Sequence, residues 1–209
     1  VQLNDRWKWE RHVRDNLSIY TFTIVLFLMG IVFGAIIVNS LPIEAKNDLY
    51  HYLQRFFGEM AEGRLASSGV LFNESFSHNL RYLGFIWLLG LSIIGLPVIF
   101  ILLFLKGIVV GFTVGFLVNQ MGLHGFWIAL ASVLPQNLLI IPAFIAVSTA
   151  SVAFSLKMIR QLLMRTRKTP LIPQFAAYAM LLAATSLLLV AASMIEAYVS
   201  PALMKSIIG

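Results

Sequence analysis

Few side chains in this chain could do chemistry. Glu196 closes an uncharged run that begins after Lys168, within Met194-Ile195-Glu196-Ala197-Tyr198-Val199-Ser200-Pro201. A carboxylate in so apolar a setting needs a donor, water or a cation. One carboxylate is not a metal shell. Glu196 is nevertheless the only residue to which a metal could be assigned, with His124 and Asn119 as helpers. The second feature is Pro135-Gln136-Asn137, where a residue without an N–H leaves a carbonyl unpaired beside two amides. With no cysteine, the chain has no disulfides, thiolate ligands or cysteine nucleophiles. It also lacks a His-Glu-x-x-His pair, aspartates paired in neighbouring spans, a Gly-x-Ser-x-Gly elbow and a phosphate loop. The reading is non-enzymatic, with no catalytic residue and no cofactor.

The elements that position these groups follow from composition. The chain has 209 residues, 59% of them hydrophobic and 11% charged, and its mean hydropathy is +0.87. A soluble domain is about half apolar and about a quarter charged, so the solvent here is mostly lipid. The net charge of +6 then reports membrane orientation and does not call for nucleic acid. Charges leave uncharged stretches over 16–43, 82–105, 107–156 and 169–195. At about 20 apolar residues per crossing, the third holds two spans, divided at Asn119-Gln120-Met121-Gly122-Leu123-His124-Gly125. The expected fold is all-α, one integral membrane domain over 1–209 with five spans at about 17–39, 82–105, 106–120, 126–156 and 172–196. Ten Lys and Arg then fall on the amino-terminal side against five on the other, which places the amino end in the cytoplasm and the carboxyl end outside. The third span is short, since Gly107 to Val118 gives about 18 Å of helix, and Lys106 would snorkel to lengthen it. The apolar run Leu17 to Val38 exceeds a signal-peptide core and reads as a retained helix.

An outer loop is expected over 41–81. In it Leu49, Tyr52, Leu53, Phe56, Phe57 and Met60 recur at spacings of three and four, the pattern of an amphipathic helix. Its apolar face either lies on lipid and on the protein's own helices or docks an extracytoplasmic partner. Gly107, Gly111 and Gly115 line one helix face, and Gly30 and Gly34 form a shorter pair, suited to internal packing or to a homodimer. Descent from Phe126 puts Pro135 about 14 Å deep, so the fourth span should be kinked or broken there. Gln136 and Asn137 would bond the freed carbonyl and a neighbouring helix. Alternatively, the break would form the midplane site of a small-solute or ion channel or transporter.

Four segments carry a family resemblance: Phe22 to Ser40 (FTIVLFLMGIVFGAIIVNS), Ile86 to Gln120 (IWLLGLSIIGLPVIFILLFLKGIVVGFTVGFLVNQ), Ser132 to Pro142 (SVLPQNLLIIP) and Ile195 to Pro201 (IEAYVSP). Together they resemble the stage II sporulation protein M family of endospore-forming bacilli over nearly the whole chain. The resemblance implies a multi-pass engulfment protein of the mother-cell membrane at the sporulation septum. It further implies a membrane scaffold that localises the peptidoglycan-degrading stage II sporulation proteins D and P, with the catalysis left to those partners. The wider family often carries Pro-His-Gly-x-x-Glu in the fourth span and a Glu near the outer end of the last. Here the first pattern falls on Pro135-Gln136-Asn137-Leu138-Leu139-Ile140, so that only Pro135 and Glu196 carry over.

Overall fold

The computed structural model describes residues 14–62, 67–164 and 171–208, all of its regular structure helical. In chain order the helices are α1 (Leu17–Ser40), α2 (Ile43–Ala61), α3 (Ser68–Leu89), α4 (Gly95–Ser132), α5 (Leu134–Met164), α6 (Leu171–Met194), a π-helical turn (Ile195–Val199) and α7 (Ser200–Ile208). Among the described residues four stretches are long and apolar enough to cross a membrane: Leu17–Ser40, Gly95–Ser132, Leu134–Gln161 and Pro173–Ile207. Helix α3 matches them in length, with 22 residues, but carries Asn73, Glu74, His78 and Arg81.

Helix boundaries correct the expected spans at two places. A single helix over 82–105 does not form. The chain turns at Gly90 to Ile94, and α4 then runs through Lys106 without a break. The turn is written in Gly90-Leu91-Ser92-Ile93-Ile94-Gly95-Leu96-Pro97. A Cβ on Gly95 would meet the Leu89 backbone, and Pro97 falls in the first turn of α4, where its missing N–H costs nothing. The short third span therefore gains a full turn-to-turn length, and Lys106 lies about 16 Å into α4 rather than at its end. The outer loop is likewise shorter than 41–81, because residues 68–81 form the first part of α3. The expected turn around residues 119–125 occurs at Gly122, whose φ of 58° lies in the left-handed region that suits glycine. Residues 123–132 then fold back along the preceding turns, where a Cβ on Gly125 would strike Leu117. A further break at Val133 separates α4 from α5 just before Pro135.

Packing fixes the helix directions. Helices α1 and α4 run parallel, with Phe22 against Phe100 at 4.9 Å between ring centroids and Asn119 bonded to Asn39 at 3.1 Å at the far end. Between them the two glycine rows interlock: a Cβ on Gly30 would sit 3.1 Å from the Gly107 Cα, one on Gly34 would strike Ile108 and Phe112, one on Gly111 would strike Ile31, and one on Gly115 would sit 3.0 Å from the Ala35 Cα. Both small-residue faces are thus used within one chain. The core where α1, α3, α4, α5 and α6 meet holds Phe27, Leu83, Ile99, Leu103, Phe144 and Leu189.

Hydroxyls staple the other helices, as expected where lipid offers no hydrophobic drive between them. Thr23 and Thr149 are 3.0 Å apart, and Ser155 donates to the Gly90 carbonyl at 2.6 Å. Tyr178 bonds the Trp87 carbonyl at 2.8 Å and Ser151 at 2.6 Å, with its ring stacked on Phe154. Tyr178→Phe keeps the stack and removes both bonds. It is expected to cost about 1 kcal/mol, the usual worth of such bonds in membranes, read as a lowered unfolding midpoint in detergent. An unchanged midpoint would show that the hydroxyl does not hold α3 and α6 together.

Candidate functional site

Between α3, α4, α5 and the π-helical turn lies an open cavity of about 950 Å³ whose wall mixes polar and charged side chains with apolar ones. On α3, Ser75 and Asn79 are one turn apart on the face turned inward, and both are buried. A ladder of hydrogen bonds crosses the cavity wall. The Lys106 ammonium donates to Asn79 Oδ1 at 3.1 Å, Asn79 Nδ2 donates to the Ser75 carbonyl at 3.0 Å, and the Ser75 hydroxyl donates to Glu196 Oε2 at 2.5 Å. Ser193 stands beside it at 3.2 Å from the Ser75 oxygen. The rings of Phe144 and Tyr82 flank the ammonium at 5.0 and 5.6 Å, a favourable contact for a cation shielded from water.

Pro201 accounts for the placement of Glu196. Lacking an N–H, it cannot continue the four-residue bonding of α6, and Ser200 instead donates five residues back to the Ile195 carbonyl. The widened turn sets Glu196 facing α3 while burying Ser200, which donates to Gln136 Oε1 at 3.0 Å.

The structure joins three of the four residues singled out by sequence at this one cavity, since Gln136, Asn137 and Glu196 all line it, while Pro135 shapes the adjoining break. Gln136 Nε2 caps the Ser132 carbonyl and Asn137 Nδ2 the Val133 carbonyl at 2.7 Å. Each amide thus bonds the carbonyl four residues before it, Val133 also accepting the Asn137 backbone N–H at 3.4 Å, so the amides serve the backbone at the break and, through Gln136 Oε1, a neighbouring helix. Around Glu196, as elsewhere among the described residues, no cluster of three His, Cys, Asp or Glu that could hold a metal ion occurs. Neither expected helper, His124 nor Asn119, lines the cavity; Asn119 is bonded to Asn39. A hydroxyl donor faces Glu196 instead.

Sequence reasoning missed Lys106, Ser75 and Asn79. Lys106 reads as a span boundary because it is the one charge between two apolar runs. Ser75 and Asn79 fall in a stretch assigned to water. The signal was the spacing Ser75, Asn79, Leu83 and Ile86, which carries one helical face from the polar stretch into the apolar one; all four are buried.

The amphipathic helix α2 splits its apolar residues between two tasks. Leu53 and Phe57 pack against a cluster of Leu117, Ile128, Ala129 and Met204 at the end of the bundle near Gly122, and Leu49 is half-buried. Tyr52 and Phe56 remain 71% and 41% exposed. The Met60 side chain lies outside the described residues. Arg55 and Glu59 form an exposed ion pair at 3.5 Å on the polar face.

A family model described as stage II sporulation protein M matches residues 23–201. No curated protein and no solved structure matches the chain.

Proposed function

The chain belongs to the stage II sporulation protein M family and is a sporulation-related membrane protein; from that premise we propose that it is a non-enzymatic scaffold. In this reading it holds the peptidoglycan-degrading stage II sporulation proteins D and P at the septal face of the mother-cell membrane during engulfment. The five long bundle helices α1, α3, α4, α5 and α6 cross the bilayer, with the amino end cytoplasmic. Lys106, Lys157, Arg160 and Arg81 lie within helices that cross and drop out of the charge count, which leaves seven basic residues on the amino-terminal side against four, still the bias that sets orientation. Helix α2 then lies on the extracytoplasmic end, where the partners' catalytic parts would work.

The observation that carries this reading is the division of α2. Leu53 and Phe57 bind it to the bundle, so it is anchored, while Tyr52 and Phe56 project from it uncovered. Aromatic anchors on a fixed helix are the residue types that dominate partner contacts. Tyr52→Asp and Phe56→Asp are expected to release proteins D and P on co-purification, with the loss of at least about 2 kcal/mol typical of hot-spot truncation. The chain itself should remain monodisperse. Full retention of both partners by the double variant would remove α2 as the contact.

The polar cavity supports a second reading, a small-solute or ion transporter, because ionisable groups at the depth of Lys106 mark pathways in many membrane proteins. Liposomes containing the parent chain would show flux; their tightness to ions and small solutes would remove it.

A further inference from the structure

We propose that the cavity between α3, α4 and α5 is a binding site for a small zwitterion, an amino acid or short peptide with free amino and carboxyl groups. The inference extends the transport reading but requires binding only, so that liposome flux and ligand binding succeed or fail separately.

The argument rests on unused hydrogen-bonding capacity at both ends of the Lys106 to Glu196 ladder. An ammonium has three donors. Asn79 takes one from Lys106, the rings of Tyr82 and Phe144 occupy its flank without accepting a conventional bond, and the residue lines the cavity. Glu196 lines the same cavity, and among the described residues its Oε2 receives a donor, from Ser75, while its Oε1 receives none. Lys106 and Arg81 therefore share the cavity with Glu196 and Glu74, and Lys106 and Glu196 are each hydrogen-bonded to a different buried residue of α3. Ser75 and Asn79 are four residues apart on a continuous helix, so their anchor points are held about 6 Å apart.

A simple anion would be attracted by Lys106 but repelled by Glu196, and a simple cation would suffer the reverse. Either leaves one of the two charges with only its bond to α3 and no countercharge from the ligand, which costs desolvation without return. An apolar segment of another protein would strand both. A zwitterion supplies a carboxylate to Lys106 and an ammonium to Glu196 at once. The chamber's volume of about 950 Å³ lies within the range of small-molecule sites. The same chemistry exists in the phosphoethanolamine headgroup of a lipid, but Lys106 lies about 16 Å from the start of α4, near the middle of the bilayer and below the headgroup layer, which favours a soluble source.

The test is binding to the full chain in phosphatidylcholine nanodiscs, by isothermal titration and by shift of the thermal midpoint, with glycine, alanine and glycylglycine as probes and acetate, methylamine and inorganic phosphate as single-charge controls. At least one zwitterion is expected to bind saturably while the controls do not. Lys106→Gln and Glu196→Gln should each weaken it by at least about tenfold. Thr113→Trp places bulk at an exposed position of the cavity lining outside the ladder; it should abolish binding with the unliganded midpoint unchanged. Binding of acetate or phosphate as strong as that of the zwitterions, and indifferent to Glu196→Gln, would overturn the proposal in favour of an anion site. A midpoint that follows phosphatidylethanolamine content instead of added solute would overturn the soluble source, and no response to any probe would overturn the site.

Discussion

Gly107→Leu is expected to leave little or no monodisperse protein after mild heating in detergent. The backbones of α1 and α4 meet at this residue, where the position of a Cβ on Gly107 lies 3.1 Å from the Gly30 Cα. An isobutyl group cannot be accommodated by a rotamer change, because its obstacle is main chain. The helices must separate, and with them go the Phe33–Phe104 ring contact at 5.7 Å and the bond between Asn39 and Asn119. Overpacking a close contact commonly costs 1–3 kcal/mol, and a backbone obstacle belongs at or above the upper end, about 3 kcal/mol or more. Gly84→Ala is the matched control, since nothing lies within 4 Å of the added methyl and helix propensity alone should stabilise by up to about 1 kcal/mol. Equal midpoints for Gly107→Leu and the parent would refute the interlocked pair.

Phe144→Ala should produce the second large effect. The side chain is 1% exposed, touches the Tyr82 ring at 5.5 Å between centroids and flanks the Lys106 ammonium. In a water-soluble core such a truncation costs about 3–5 kcal/mol, part of it the transfer of apolar surface from water. Separated helices in a membrane remain in lipid, so the transfer part is largely missing and the expected loss is about 3 kcal/mol. A second signature distinguishes this site from other core positions: Lys106 loses one of its two flanking rings, and Phe144→Leu should restore packing without restoring the cation contact. Melting midpoints of the two variants check both statements; a loss below about 1 kcal/mol for Phe144→Ala would mean that the pocket collapses around the gap.

The helical class, the membrane and the sense of packing along the glycine rows were legible in the sequence, because each depends on a local pattern: apolar run length, charge position, or a small residue every fourth place. Glycine stripes also announce close approach without naming the partner, and here the two stripes answer each other. The break near Pro135 was equally legible, since a missing N–H has the same consequence in any fold. The spans around residues 82–120 were misjudged for a physical reason. Hydropathy treats a lysine as an edge, whereas Asn79 Oδ1 and two aromatic rings let Lys106 remain inside. Helix α3 was hidden by the converse effect, its polar residues suggesting water when two of them face other side chains. Neither arrangement can be read locally, because each partner lies on a different helix, up to 121 positions away for Ser75 and Glu196.

The parallel seating of α1 on α4 also constrains how the molecule is made. Two neighbouring helices that point the same way cannot be a hairpin, and the chain between Ser40 and Gly107 must be synthesised before the first can meet its mate. At 5–20 residues per second, those nearly 70 residues take roughly 3–13 s. During that interval the nascent first helix waits in the bilayer with a bare glycine groove, exposed to any other insertion intermediate with small residues at the same depth. The seam that gives the finished protein its closest backbone contact is therefore the one for which a membrane insertase or chaperone would have most to protect.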